Sequence, residues 1–321
     1  MTNRIIYLIF IALISVSSGC DGDNPTSPSF RPGIIKFHAF FVDPAWHPDG
    51  KWIAVVHGDS IDTDFDGIVD TLFSGIWIVN AETGYKQPLI RGFGSPAWSP
   101  DGQRLVVHGG GQIFIFEVTS LEPAQVDSNS ILQLTSDGAN IYPAWSPDGN
   151  WIAYDNRNCG SRVKPAPPES CGIFIIRTNG LEKTFLTGGI MPDWSPDGAD
   201  LIFIALETNL FRIAVDDTTN IIQLTMTVNA DNYHPIYSPD SREIAIYSQP
   251  RTDSPAIWIM KSDGSRLRQL TEGPDWQFDW SPDGNQIVFL RWSPNRSIEG
   301  NGQLWVINTD GTNLRQLTFN R

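Results

Sequence analysis

A six-residue phrase, Ala97-Trp98-Ser99-Pro100-Asp101-Gly102, returns through the chain and leaves few folds open to it. It recurs at 144–149 and, with Asp in place of the leading Ala, at 193–198 and 279–284. Looser copies stand at 45–50, where His47 replaces Ser, and at 236–241, where Ile236, Tyr237 and Ser241 replace Ala, Trp and Gly. The aromatic residue falls at 46, 98, 145, 194, 237 and 280, so the intervals are 52, 47, 49, 43 and 43 residues. A period in the forties marks a repeat architecture and takes precedence over any local motif.

The phrase has a mechanism. Pro presets φ for the first corner of a type I turn, Asp suits the second, and Gly accepts the left-handed position that follows. Such a turn closes a three-residue hairpin loop. Beyond it come alternating, β-branched runs such as Trp52 to Val56, Trp151 to Tyr154 and Gln286 to Leu290. A further run follows in each unit, as in Gly75 to Val79, Ala256 to Met260 and Gln303 to Ile307. A Gln-Leu-Thr strand is expected to close four of the units, at 133–135, 223–225, 269–271 and 316–318. Four short antiparallel strands, six times over, predict an all-β fold, a six-bladed β-propeller. The blades should begin near Asp43, Ser95, Tyr142, Met191, His234 and Gln277, with each motif aromatic packed between blades. Ile34 to Phe37 should pair with the last blade and cover its open edge.

The Trp-Ser-Pro-Asp-Gly phrase, the Ile-Trp-Ile type of strand and the Gln-Leu-Thr closure together resemble the repeat of TolB-type propellers. The same repeat occurs in the propeller domains of some prolyl-oligopeptidase-like hydrolases. The resemblance spans residues 34 to 321 and implies the fold more strongly than any activity, because propellers host many unrelated functions. A TolB protein would carry a small α/β domain before its propeller. No room for one is expected here, so the partner contacts of that domain do not carry over.

Residues 1–20 read as a lipoprotein signal peptide. Arg4 supplies the positive start, and Ile5 to Val16 is an apolar run too short for an ordinary membrane-spanning helix of about 20 residues. Ser17-Ser18-Gly19-Cys20 resembles a lipoprotein processing box, with Cys20 as the lipidation site. Ser17 stands where such boxes carry Leu, and the competing reading is plain secretion. Asp21 after the Cys implies inner-membrane retention in some bacteria only. Residues 21–33, with Pro25, Pro28 and Pro32, form a flexible tether. The expected location is the periplasm or cell envelope, held to a bacterial membrane by lipid alone. The net charge of −14 argues against nucleic acid and against an anionic membrane surface. A monomer is expected.

Strand order separates two faces. The Ser-Pro-Asp-Gly turns share one face with the tight Asn-Gly and Asp-Gly turns, while long loops at 58–74, 156–171, 248–255 and 292–302 share the other. Variable loops on a rigid scaffold carry binding, so the long-loop face is the candidate interface. One of its loops places Asp62, Asp64, Asp66 and Asp70 at positions 1, 3, 5 and 9 of a calcium-loop spacing, with Gly67 at position 6. Phe73 replaces the acidic residue at position 12, so a weak, structural Ca²⁺ site is expected. The competing reading is an acidic solvated loop. Another loop holds Cys159 and Cys171. With Cys20 set aside for lipid, the three cysteines leave this pair for a disulfide in an exported protein.

The residues three before each motif aromatic form a chemically mixed ring, expected to be filled by water and side chains, a ligand site being the alternative. Some propeller lyases place several His around such a channel with a metal; this ring contains only His234. His47, His57 and His108 read as polar strand ends, and His108-Gly109-Gly110-Gly111 as a glycine turn. No Gly-x-Ser-x-Gly nucleophile elbow occurs in the chain, so the hydrolase reading lacks its parts. The functional expectation is a non-enzymatic, envelope-anchored propeller that binds a protein or peptide through its long-loop face. The alternative is a glycan-binding or lyase-like propeller, since Tyr142, Tyr233, Trp276 and Trp292, which share that candidate binding face with His234, could stack on sugar rings.

Overall fold

A computed structural model describes residues 40–61, 71–158, 171–205, 208–226, 230–250, 254–291 and 302–319. They form six antiparallel sheets in chain order, each a blade whose strands add outward from the axis. The innermost strands are Phe40–Trp46, Gly94–Trp98, Asn140–Trp145, Ile190–Trp194, Ala230–Tyr237 and Asp275–Trp280. These are the six starts expected from the repeat. The six-bladed propeller is therefore the fold.

Six hydrophobic clusters lie at the seams between blades, and each contains one motif aromatic. Trp145, for example, packs against Val106, Ile113 and Ile115 of the preceding blade. The ring closes through the cluster in which Trp46 and Phe41 of blade 1 meet Val288, Leu290 and Leu304 of blade 6. The aromatics are 4 to 8 % exposed, so each seam is sealed by a large ring.

At the tight face, Ser99 Oγ donates to Asp101 Oδ1 at 2.6 Å and accepts from Arg104 N at 2.9 Å. The pattern returns at Ser146, Ser195, Ser238 and Ser281. In blade 1, His47 takes the serine's place. Its Nδ1 accepts from Asp49 N, and its Nε2 lies 3.0 Å from Gly102 O in the next blade's turn. A Cβ at Gly102 would fall 2.6 Å from that nitrogen, so glycine is needed there for space as well as for its φ of 71°.

Two expectations need correction. The outermost strands end at the Gln of Gln-Leu-Thr: they are Leu132–Gln133, Ile221–Gln223, Arg268–Gln269 and Arg315–Gln316. The physical reason is the Thr hydroxyl, which takes over an inner strand's N–H. Thr135, Thr225, Thr271 and Thr318 accept from Ile113, Leu210, Ile257 and Leu304 at 2.9–3.1 Å. His57 is no strand end. It is fully buried inside the ten-residue strand Trp52–Ile61, stacked on Phe41 at 3.9 Å with Lys86 Nζ 2.9 Å from its Nε2. His108 does stand near the end of Arg104–Gly109, and Gly110 and Gly111 form the turn with φ of 58° and 76°. Residues 34–37 lie outside the described residues, and Arg315–Gln316 is the outermost strand of blade 6 among those described.

Candidate functional site

Each innermost strand breaks step where it reaches the axis. The register with its neighbour shifts between Val42 and Ala45, Gly94 and Ala97, Ile141 and Ala144, Ile190 and Asp193, Tyr233 and Ile236, and Trp276 and Phe278. Proline follows the first residue of the break in five blades and has no N–H to give the ladder, which is why the bulge settles there. Asp43, Ser95, Tyr142, Met191, His234 and Gln277 all adopt positive φ, between 32° and 54°. For side chains other than glycine this conformation costs about 1–2 kcal/mol per residue. The strain is repeated six times and aims each of these residues at the axis.

The axis is open. A cavity of about 140 Å³ is lined by two layers of side chains. The outer layer is the strained ring: Asp43, Ser95, Tyr142, Met191 and His234 line the cavity, and Gln277 bonds to Asp43. The inner layer is the residue just before each motif aromatic: Ala45, Ala97, Ala144, Asp193, Ile236 and Asp279. Three alanines of blades 1 to 3 thus stand opposite two aspartates and an isoleucine of blades 4 to 6, and the missing side-chain volume is the cavity.

The ring has two chemically distinct arcs. From blade 6 through 1 to 2 it is stitched by hydrogen bonds. Gln277 Nε2 and Ser95 Oγ both donate to Asp43, and Asp43 N donates to Gln277 Oε1 at 3.3 Å. From blade 3 to 5 it is aromatic and soft. Tyr142 and His234 meet edge to face at 6.1 Å, and Met191 Sδ accepts from His234 N at 3.3 Å. His234 Nδ1 is buried with no hydrogen-bond partner. Outside the ring, the Arg157 guanidinium lies 5.3 Å from the Tyr142 ring centre and pairs with the buried Asp155 at 3.3 Å. Asp155 Oδ2 also accepts from Met191 N at 3.2 Å.

The inner aspartates join blades. Asp193 Oδ2 accepts from Tyr237 N of the next blade at 2.9 Å, and Asp279 Oδ2 from Trp46 N at 2.6 Å, across the closure of the ring. The innermost strand has a free edge on the axis, and these carboxylates satisfy N–H groups that no strand can reach. Burial pushes the carboxyls of Asp193 and Asp279 up to about 7, the Asp279 charge adding to the rise at Asp193. Burial pushes Asp43 up to about 6 against the hydrogen bonds it accepts, and lowers His234 to about 4, so this imidazole is neutral. Burial also raises the Tyr142 hydroxyl.

Of the aromatics expected on the long-loop face, Tyr142 and His234 border the cavity, while Tyr233 and Trp276 belong to a second group. Tyr247 joins them, 6.1 Å from Tyr233 and 4.8 Å from Trp276, in a near-parallel stack at the seam of blades 5 and 6. Trp292, Cys20, Cys159, Asp62, Asp64, Asp66 and Asp70 lie outside the described residues. Cys171 is engaged in a disulfide rather than free. Asp193 and Asp279 escaped the sequence reading as site residues, although their signal was printed in the repeat as Asp where Ala is the rule. Among the described residues, no helix is long and apolar enough to cross a membrane.

Residues 177–321 match the family model described as the TolB beta propeller domain. Residues 177–321 thus resemble the TolB β-propeller domain, and the described chain as a whole is a six-bladed β-propeller. A curated relative, Atu1656 of Agrobacterium fabrum, is 27 % identical over 203 residues, 62 % of this chain and 65 % of that protein. The chain thus spans just under two thirds of that relative's length. Among solved structures, a putative TolB from Agrobacterium tumefaciens superposes with a TM-score of 0.57 at 23 % identity, covering 76 % of this chain and 84 % of that one. An oligogalacturonate lyase in complex with manganese reaches a TM-score of 0.57 at 14 % identity, covering 87 % and 77 %. At these identities the structural likeness speaks for the fold alone.

Proposed function

We propose that this propeller is a non-enzymatic binding protein of the bacterial envelope that engages a protein or peptide through its long-loop face. The observation that supports it most is the pair Tyr233 and Trp276, each half-buried and stacked on the buried Tyr247 at the seam of blades 5 and 6. Aromatic rings held rigid by a packed seam present contact area with little entropy left to lose, which is how binding surfaces are anchored. The same reading keeps Cys20 as the lipid anchor, Asp62, Asp64, Asp66 and Asp70 as a weak structural Ca²⁺ loop, and Cys159 as the partner of Cys171.

The stack could equally seat a sugar ring, and the likeness in fold to an oligogalacturonate lyase keeps a glycan ligand as the second reading. Cross-linking in envelope extract, run beside a glycan array, separates the two. Wild-type protein should capture a defined protein band that Trp276→Ala with Tyr233→Ala no longer captures, at a temperature where circular dichroism shows the less stable variant still folded. Array binding that the same substitutions remove, with no cross-linked protein, would replace the first reading by the second. The calcium loop is checked separately. Millimolar Ca²⁺ should raise the melting temperature and a chelator reverse it, with Asp64→Asn plus Asp66→Asn blunting both. Indifference to both reagents would leave an acidic solvated loop. Cys20→Ser should release the protein from membranes, and unchanged fractionation would refute the anchor. Peptide mapping without reduction should recover Cys159 joined to Cys171; a Cys159 found as a free thiol would refute that pairing.

A further inference from the structure

We propose that the axial cavity is a binding site for a small protonated amine, an alkylammonium of about four to six non-hydrogen atoms. The site is the axis rather than the loop face, so the inference does not depend on the partner reading above.

Size is the first argument. A cavity of about 150 Å³ holds a benzene-sized molecule, and this one is about 140 Å³. Charge is the second. Asp43, Asp193 and Asp279 border the space, and among the described residues no Lys or Arg lines it. The Arg157 guanidinium, outside the ring, sits over the Tyr142 face and is already paired with Asp155. Hydrogen bonding is the third. The wall offers three carboxyl groups as acceptors, and beside them the buried Nδ1 of His234 has no partner. Its donors are few: the Ser95 hydroxyl is committed to Asp43, and the neutral Tyr142 phenol adds one. An ammonium brings three N–H donors and no acceptor. An alkyl tail would lie along Met191 and the alanine arc, which offer no competing polar group.

A chelated metal fits less well. Among the described residues no three His, Cys, Asp or Glu side chains are grouped closely enough to hold one, whereas an ammonium needs only separated acceptors around it. The sixfold positive φ adds a further support: backbone strain of this kind gathers at ligand sites, and five of the six strained residues line the cavity.

Ionised carboxylates and a protonated amine coexist between about pH 7 and pH 10. In that window Asp43, Asp193 and Asp279 face the ligand as anions, His234 as a neutral ring and Tyr142 as a neutral phenol. Binding should therefore be stronger at pH 8 than at pH 5.

The test uses the full chain with n-butylammonium, n-butanol as the uncharged isostere, and KCl as an ionic control. At pH 8, n-butylammonium about a hundredfold above its dissociation constant should raise the melting temperature by about 5 °C. Butanol and KCl should not. Two peptides, one with a free lysine side chain and one with that lysine acetylated, separate a free amine from an amine delivered on a partner. A shift with the free-lysine peptide and none with the acetylated one assigns a delivered amine, and a shift with butylammonium alone assigns a free one; both uphold the site. Asp193→Asn with Asp279→Asn should abolish the butylammonium shift. If that variant does not fold, Ala144→Leu, which fills the cavity and leaves every carboxylate in place, should abolish it instead. An equal response to butylammonium and butanol, a response that survives the filled cavity, or no response to either amine source overturns the proposal.

Discussion

Aspartate stands both within the innermost strands and in the turns that follow them, and behaves oppositely in the two places. At the tight face, Asp101, Asp148, Asp197, Asp240 and Asp283 are held below the ordinary carboxylate value, chiefly by a hydrogen bond from the neighbouring serine hydroxyl. At the axis, burial lifts Asp43, Asp193 and Asp279 well above it. The turn carboxylates lie near water and each bonds within its own hairpin. The axial ones lie deep, and their partners belong to other blades. Repetition therefore marks the first set as scaffold, while variation on a constant backbone marks the second as the place where chemistry was free to change.

The comparison is broken most sharply by two substitutions three residues apart. Trp145 fills a seam and donates from Nε1 to Ala97 O at 3.1 Å. Truncating it to Ala should cost about 3–5 kcal/mol, the range for large buried aromatics. Tyr142 borders an existing cavity, meets His234 edge to face and lies under the Arg157 guanidinium. Its loss should cost about 1–2 kcal/mol. Urea denaturation measures both. A Tyr142→Ala protein as unstable as Trp145→Ala would mean that the ring is scaffold after all.

Next in size is the pH dependence, on which the two sets of aspartates act with opposite sign. The turn carboxyls have lowered folded values, so their contribution is present above about pH 4 and lost as pH falls. The axial carboxyls have folded values raised from 3.8 to about 6 at Asp43 and about 7 at Asp193 and Asp279, so their contribution is full below about pH 4 and lost as pH rises through those values. Without ligand, stability should peak in mildly acid solution and decline on the order of a few kcal/mol toward pH 8. Asp193→Asn with Asp279→Asn should flatten that alkaline decline, and Asp148→Ala should leave it untouched. Melting curves from pH 4 to pH 8 decide it; an unchanged decline in the Asn variant would remove the axial carboxyls as its cause.

What the sequence made legible follows the same division. Six copies of one turn announce six blades, and counting back three residues from each aromatic finds the ring, because these signals lie within one hairpin. The role of Asp279 was invisible for the converse reason. Its partner Trp46 stands 233 residues away and is reached only when the ring closes. The cavity, too, is a sum over six strands: Ala45, Ala97 and Ala144 look like ordinary small residues until Asp193, Ile236 and Asp279 face them. Gln-Leu-Thr misled by a residue or two because its Thr hydroxyl imitates the strand bond it replaces.

The smallest expected effect sharpens the scaffold side of the comparison. Blade 5 alone closes its turn with serine, and Ser241 adopts φ 62° where the other five copies place glycine at φ 70–76°. A non-glycine residue in that region costs about 1–2 kcal/mol. Glycine would remove the strain but loses more conformational freedom on folding, about 0.5–1 kcal/mol. The turn bond from Ser241 N to Ser238 O, 2.9 Å, is a backbone bond and survives the change. Ser241→Gly should therefore stabilise the protein by about 0.5 kcal/mol, which in a domain of this size raises the melting temperature by about 1–2 °C. Calorimetry can resolve this, and the natural control is Gly149→Ser, which should lower it by a similar amount. If Ser241→Gly destabilises, the serine side chain contributes to the blade 5 turn in a way that its backbone geometry does not explain, and this turn ceases to be equivalent to its five counterparts.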